Sequence, residues 1–404
     1  MRTPYGLLTY CTNIHAGESW TDHFAALRQN VPAIKKRISP GASFGIGLRL
    51  SHQASLELEK PEMLQTFKQW LADEDCFVFT MNGFPYGGFH RTKVKDQVHA
   101  PDWTTTERVS YTIRLFNILK ELLPEGMEGG ISTSPLSYKY WKEEGQQADV
   151  LKSTTKNILQ VVEHLIRIKS TTGKHLHLDI EPEPDGTLGN GPEFFDWYEQ
   201  YLLPMGKEYL TKQSGYTAEQ SAEAIRDHLQ LCYDVCHFAV GYEDHAAVVQ
   251  KLRERNIKVG KIQISAALKA ALPAEQSKRE PVIQAFRQFN ESTYLHQVVA
   301  RQQDGSFKQY PDLPEALADA ANPSTTEWRS HFHVPLFISD YGLLQSTQSD
   351  IKDVLTLHAS KSFTHHLEVE TYTWEVLPEA MKLPQSESII REMEWVINFL
   401  NAKQ

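Results

Sequence analysis

The sequence predicts an α/β protein of the closed (β/α)8 TIM-barrel type, and three observations lead there. Short apolar segments of strand length alternate with longer helical patterns along nearly the whole chain. Several of these strands, above all Lys174–Gly186 (KHLHLDIEPEPDG), carry one apolar and one ionisable face. The length, 404 residues, suits a single barrel domain with insertions. In Lys174–Gly186, Leu176, Leu178 and Ile180 point one way, and His175, His177, Asp179 and Glu181 the other. An edge strand with a solvated face would explain this stretch alone. The inner face of a parallel barrel strand explains it better, because helices cover the apolar side while the polar side lines a pocket at the C-terminal mouth. Glu181, last on the inward face, is then at the mouth.

The elements follow in order. Tyr5–Thr12 is the first strand, and a helix begins near the cap-like Ser19. Phe44–Leu50 and Cys76–Asn82 are the second and third strands, with Pro61–Asp73 as a helix between them. The loop Gly83–Trp103 is long enough to be functional or a lid. A helix from Thr104–Thr106 to Leu123 leads to the fourth strand, Glu128–Ser132, and a helix from Ala148 to Ile168 to the fifth. Helical patterns over Pro192–Lys212 and Ala218–His228 precede the sixth strand, Leu229–Asp234. A helix over Tyr242–Arg255 precedes the seventh, Lys258–Ser265. Residues 266–330 break the rhythm and are expected to be a helical insertion in a single domain, with helices at Lys278–Phe289 and Ser292–Gln302. His331–Phe337 reads as extended, Asp350–Ala359 as helix and His366–Tyr372 as the eighth strand. The last helix, Ser386–Leu400, has Ile389, Ile390, Met393, Val396 and Leu400 as its apolar stripe.

Hydrophobic residues make up 41% and charged residues 23%, enough for a large core. The net charge of −10 argues against gripping nucleic acid or anionic membrane through the overall field. There is no apolar run of membrane-spanning length, and the N-terminus lacks the features of a signal peptide, so a cytoplasmic protein is expected. Cys11, Cys76, Cys232 and Cys236 are too scattered for a disulfide framework, and no second cysteine pair accompanies Cys232 and Cys236 in a zinc knuckle.

The two-faced pattern recurs. Gln230, Cys232 and Asp234 share one face of the sixth strand; Lys261, Gln263 and Ser265 one face of the seventh; Glu368 and Glu370 one face of the eighth. Solvated edges do not explain such recurrence. Repeated β–α units fit a closed barrel or a doubly wound sheet, and no G-x-G-x-x-G follows the first strand to favour a dinucleotide-binding sheet. A barrel mouth of this kind supports divalent-metal chemistry. Glu181, Asp234 and Glu370 supply oxygen ligands, and His237 and His333 nitrogen donors. Asp234-Val-Cys-His237 is the sharpest local motif, since an Asp at a strand end and a His three residues on can turn into one pocket.

These residues resemble the xylose-isomerase-like (β/α)8 superfamily of sugar isomerases, sugar epimerases and endonuclease IV-type nucleases. The resemblance implies a Glu on strand five, Asp and His at the end of strand six, a ligand on strand seven and a closing Glu on strand eight. Those positions fall on Glu181, Asp234 with His237, Gln263 and Glu370, while His333 resembles an extra histidine of the nuclease-like members. Within the superfamily the chain resembles the EboE-type "metabolite traffic" branch, through NIHAGESW, GGFHRTKVKDQVHAPDW, LDIEPEPDG, YDVCH, RSHFHVPLF and LEVETYTWEVLP. Gln263 departs from the pattern, standing where many relatives have a histidine ligand.

The resemblance implies a metal-dependent isomerase or epimerase of a sugar, sugar phosphate or polyol. Glu181 and Glu370 would move protons beside a carbonyl, with Mn, Zn, Mg, Fe or Co as cofactor. A metabolite-handling protein of an EboE-type export pathway is the alternative, and a phosphodiesterase of the endonuclease IV type a third. The expected partner is a small polyhydroxylated molecule, with no nucleic acid. His15, Arg49, His90, Lys261 and His331 are candidate substrate contacts, and Asp179 a residue that orients a ligand. Glu183 replaces Glu181 if the register shifts by two. Each has a plainer explanation: salt bridges for the glutamates, loop histidines for His15, His90 and His237, and a buried ion pair for Arg49 or Lys261. Trp20, Trp103 and Trp374 are candidates for walls that stack a sugar, or for core.

Overall fold

The structure, a computed structural model, describes residues 1–143 and 145–403. Eight parallel strands form the predicted barrel. They are β1 (Gly6–Tyr10), β2 (Phe44–Arg49), β3 (Cys76–Asn82), β4 (Glu128–Thr133), β5 (His175–Ile180), β6 (Leu229–Asp234), β7 (Val259–Ile264) and β8 (His366–Val369). The hydrogen-bonded order runs β1–β8–β7–β6–β5–β4–β3–β2. A short strand, Arg2–Thr3, adds antiparallel to β1.

The ring closes between β1 and β2 through side chains as well as main chain. Cys11 bridges Gly47 in parallel. Thr9 Oγ1 donates to the Gly45 carbonyl at 2.8 Å and accepts from the Gly47 amide at 3.0 Å. Thr12 Oγ1 accepts from the Arg49 amide at 2.9 Å. Two threonines thus satisfy backbone groups that a regular ladder would otherwise pair.

Each strand's apolar face lies under helices. Leu176, Leu178 and Ile180 of β5 are fully buried. The helix Trp20–Ile38 starts where Ser19 accepts from the Asp22 amide. The helix Gln147–Thr172 ends at Gly173, whose φ of 74° is the left-handed stop. The closing helix Gln385–Asn401 buries its predicted stripe, Ile389, Ile390, Met393, Val396 and Leu400. No helix among the described residues is long and apolar enough to cross a membrane.

The barrel interior is polar, and glycines make room for its long side chains. A Cβ on Gly47 would lie 2.1 Å from Glu368 Oε1, and one on Gly260 would lie 1.9 Å from Asp179 Oδ1. Lys261 and Glu368, both fully buried, form an ion pair at 2.9 Å, and Lys261 also donates to the Met81 carbonyl at 3.0 Å. Burial works against the ammonium, but the Glu368 charge outweighs it and raises the Lys261 pKa.

The segment after β7 is more sheet than helix, which corrects the helical reading of residues 266–330. It does contain the helices Gln276–Arg287 and Leu313–Ala318. Around them runs a six-stranded antiparallel sheet in the order Phe307–Tyr310, Val298–Gln302, Thr325–Ser330, Leu268–Ala271, Leu344–Ser346, Asp340–Tyr341. The expected helix over Ser292–Gln302 is instead the strand Val298–Gln302, paired with Thr325–Ser330. Its β-branched Val298 and Val299 favour a pleated surface. Trp328, fully buried, packs on Phe286 with ring centroids 5.4 Å apart and ties sheet to helix. The expected extended segment His331–Phe337 directly follows the strand Thr325–Ser330 but joins no ladder, and its last two residues, Leu336 and Phe337, form a turn.

Candidate active site

The mouth collects the groups that alternation placed at strand ends. Glu181 directly follows β5, Asp234 ends β6 and Glu370 directly follows β8. One carboxylate oxygen from each lies within 4.8 Å of the others. Asp234, His237 and His333 make a second such group, as do Glu183, His237 and His331. All seven side chains are buried.

Local structure fixes each of them. Asp234 caps the short helix Val235–Val240: its Oδ1 accepts from the His237 amide at 3.1 Å and from Ser265 Oγ at 2.7 Å. Its Oδ2 is buried without a hydrogen bond. His333 donates through Nδ1 to the Glu370 carbonyl at 3.0 Å, which leaves Nε2 buried without a hydrogen bond, 4.0 Å from Asp234 Oδ2. His237 is oriented by the Pro182 carbonyl at 2.9 Å from Nδ1, and its Nε2 lies 3.3 Å from His331 Nε2. Glu370 Oε1 accepts from the amides of Asn13 and Asn82, both at 2.8 Å.

The electrostatics are those of too many carboxylates in one dry place. Burial, then the charges of Asp234 and Glu183, push Glu181 well above the usual carboxylate range. Burial, then Glu181 and Asp234, do the same to Glu370. Glu183 is pushed up from 4.5 to about 8, chiefly by burial. Burial also opposes the Asp234 anion, yet the imidazoles of His237 and His333, with the Ser265 and His237 amide hydrogen bonds, hold its pKa down. Burial lowers His333 to about 4 and His331 well below its usual value, so both offer lone pairs at neutral pH. Three carboxylates this close cannot all ionise without a cation between them. The orphaned Asp234 Oδ2 and His333 Nε2, with an oxygen- and imidazole-rich donor set, fit a divalent metal.

The cavity beside them, about 480 Å³ when space open to solvent is counted, is lined by polar Asn13, Asn82, Glu181, Glu183, His331 and Glu370 and by aromatic Phe84, Phe89, Tyr294 and Tyr372. The 83–103 loop lines one side of it and is pinned to the segment that follows β7. Val94 and Lys95 amides bond the Thr293 carbonyl at 2.8 and 2.9 Å, and Lys95 Nζ meets Asp312 at 2.5 Å.

Not every predicted residue reaches this cavity. Gln263 does not line the cavity: its Oε1 accepts from the Cys232 thiol at 2.9 Å. Lys261 is committed to Glu368 beneath the mouth, and so is not placed to touch a substrate. Arg49 is a strut for the loop, donating to the Gly87 carbonyl at 2.6 Å and pairing with Glu18 at 3.4 Å. His15 spends both ring nitrogens on Tyr10 and Gln385, and His90 on Asn13 and Tyr294. These positions share an inward direction with the mouth residues but a different depth or a structural partner. His331 does line the cavity, between Gln297 and Tyr372. Asp179 orients His177 at 2.6 Å deeper in the barrel. Trp20 and Trp103 are core, while Trp374 is half-buried, donating to the Leu383 carbonyl. Asn82, Asn13, Gln297 and Tyr372 were not anticipated. Asn82 had a signal, as the last residue on the inward face of β3; Gln297, inside the insertion, had none.

No protein-family model matches the chain, and no curated protein matches it in sequence. Its (β/α)8 barrel fold does recur among solved structures. A protein of Anabaena variabilis assigned provisionally to the sugar phosphate isomerases/epimerases superposes with a TM-score of 0.50 at 10% identity, covering 99% of both chains. An L-ribulose 3-epimerase gives 0.49 at 10% identity over 98% of this chain and 95% of its own. A zinc-bound IolI protein gives 0.46 at 11% identity over 98% and 99%. At such identities the likeness establishes the fold alone.

Proposed function

We propose that the protein is a divalent-metal-dependent isomerase or epimerase of a sugar, sugar phosphate or related polyol. The observation that carries this reading is the pair Glu181 and Glu370, two buried carboxyls lining one cavity, both pushed toward the protonated form. One carboxyl of the pair, in its ionised form, can take a proton from carbon beside a carbonyl, and the other, in its protonated form, can deliver one to the opposite face. Asn13 and Asn82 hold Glu370 through Oε1, leaving Oε2 to face substrate. Phe84, Phe89 and Val94 of the 83–103 loop, with Tyr294 and Tyr372, give the cavity an apolar wall that would shield a carbanion-like intermediate from solvent protons. Glu181, Asp234, His237, His333 and Glu370 are the groups that would hold a metal, and Gln263 is not needed to complete the set. When bound, a divalent cation supplies Lewis-acid polarisation of the substrate carbonyl. The small-molecule substrate and a cytoplasmic setting belong to the same proposal.

A second reading, a metabolite-handling barrel of EboE type, draws support from Gln263, because the strand-seven position offers an amide already engaged by Cys232. A panel of ketoses, aldoses and their phosphates, incubated in D2O with protein and Mn2+ or Zn2+, separates the two. Deuterium appearing at the carbon beside the carbonyl, and lost in Glu370→Gln, supports the enzyme. Saturable binding of a panel member with no exchange supports the handling protein.

A further inference from the structure

The opposite end of the barrel carries a second constellation that the mouth chemistry does not use. Glu128 opens β4, His177 lies within β5 and His366 opens β8. One ligand atom from each lies within 4.8 Å of the others. The imidazole rings of His177 and His366 have centroids 5.4 Å apart. His366 is fully buried, and neither of its ring nitrogens has a hydrogen-bond partner. A buried imidazole with two idle nitrogens is costly and calls for a ligand. His177 is held by Asp179 Oδ1 at 2.6 Å from Nδ1, as a carboxylate holds a metal-bound histidine from behind. Glu128 lies 3.6 Å from His175 Nδ1 and brings a carboxylate to the cluster.

Glu128 is partly exposed at the edge of the cluster, while His177 and His366 are buried behind it. A shallow groove, about 1200 Å³ when space open to solvent is counted and lined by Gly6, Glu128, Lys174, His175, His365 and His366, runs along the N-terminal ends of the strands. It gives an ion a path in and leaves space for water ligands.

We propose that Glu128, His177 and His366 bind a second divalent transition-metal ion on the floor of the barrel. Two imidazole nitrogens and one carboxylate suit Zn2+, Co2+ or Fe2+ better than Mg2+ or Ca2+. The ion ties β4, β5 and β8 together across the barrel end, a structural role separate from the mouth. The upper half of the polar face of β5 thus serves one metal centre, through Glu181, and the lower half another, through His177.

The site stands independently of the proposed activity, and the test keeps the two apart. Metal-free protein is titrated with Zn2+ by calorimetry and with Co2+ by visible absorption, in the parent, Asp234→Asn, Glu128→Gln and His366→Asn. The expected result is a Zn2+ equivalent that survives Asp234→Asn and disappears in Glu128→Gln and His366→Asn, with a matching loss of Co2+ absorption. Glu128 is partly exposed, so its variant reports on binding even where His366→Asn fails to fold. Loss of all Zn2+ binding in Asp234→Asn overturns the proposal, as does an undiminished stoichiometry in Glu128→Gln. A floor ion present without a mouth ion supports this site while counting against the metal-dependent enzyme.

Discussion

The idle Nε2 of His333 faces the idle Oδ2 of Asp234 across 4.0 Å. The gap is too long for a hydrogen bond. It is close to the span of two metal–ligand bonds of about 2.1 Å each. The partner atoms are spoken for: Nδ1 of His333 by the Glu370 carbonyl, Oδ1 of Asp234 by Ser265 and the His237 amide. The protein therefore holds two lone pairs in place and leaves the space between them to something else.

Asp234→Asn should keep the helix cap, since an amide oxygen can still accept from the His237 amide, while removing the anionic ligand. Metal affinity at the mouth is expected to fall by about 100-fold, by analogy with the cost of disturbing metal-site residues. Calorimetry with Mn2+ or Zn2+ measures it, and a change of less than about threefold on that scale would count against Asp234 as a ligand.

Glu370→Gln should lower turnover by about 100- to 10,000-fold, the worth of a positioned acid–base group. The amide keeps the shape of the carboxyl and a bond from Asn13 or Asn82, so substrate binding should change far less. The readout is the split between kcat and KM once a substrate exchanges deuterium. An equal loss in both would point to a displaced side chain.

Glu183 predicts a stability effect with a defined sign. Its pKa is about 8 in the folded chain against 4.5 when unfolded. The unfolded state therefore releases this proton first, and the parent loses stability as pH rises from 4.5 to 8, levelling off above. Glu183→Gln has no such proton. Its Tm relative to the parent should climb steadily between pH 5 and 8 in metal-free protein. A flat difference would mean that Glu183 ionises at an ordinary pH.

Lys261→Met removes one partner of a fully buried ion pair and leaves the Glu368 carboxylate buried without its countercharge. The expected cost is about 3–5 kcal/mol in urea unfolding. Lys261→Met combined with Glu368→Gln should recover much of it, because no lone charge then remains. Failure of the second change to rescue would show that Lys261 matters for packing, not charge.

The sequence pattern exposed what is local and hid what depends on depth or distant pairing. All eight barrel strands were readable because a period of two is a local signal, and the positions of Glu181, Asp234 and Glu370 follow from being last on an inward face. The same pattern does not say how deep an inward residue sits. Lys261 and Gln263 alternate like the mouth residues, yet one meets Glu368 and the other Cys232. Asn82 was missed although it ends β3 as Asp234 ends β6. The inserted sheet was hidden because Val298–Gln302 finds its partner at Thr325–Ser330, a pairing no short window contains. His366 gave no warning either, since an idle ring nitrogen is a property of its surroundings.

Crystals grown metal-free and soaked in Mn2+ or Zn2+, with anomalous diffraction recorded at the metal edge, test the central claim most directly. The account predicts a peak at the barrel mouth within bonding distance of Asp234 Oδ2 and His333 Nε2, with Glu181 and Glu370 around it. A saturating soak that leaves that position empty, in crystals whose other sites have taken up the ion, would contradict it.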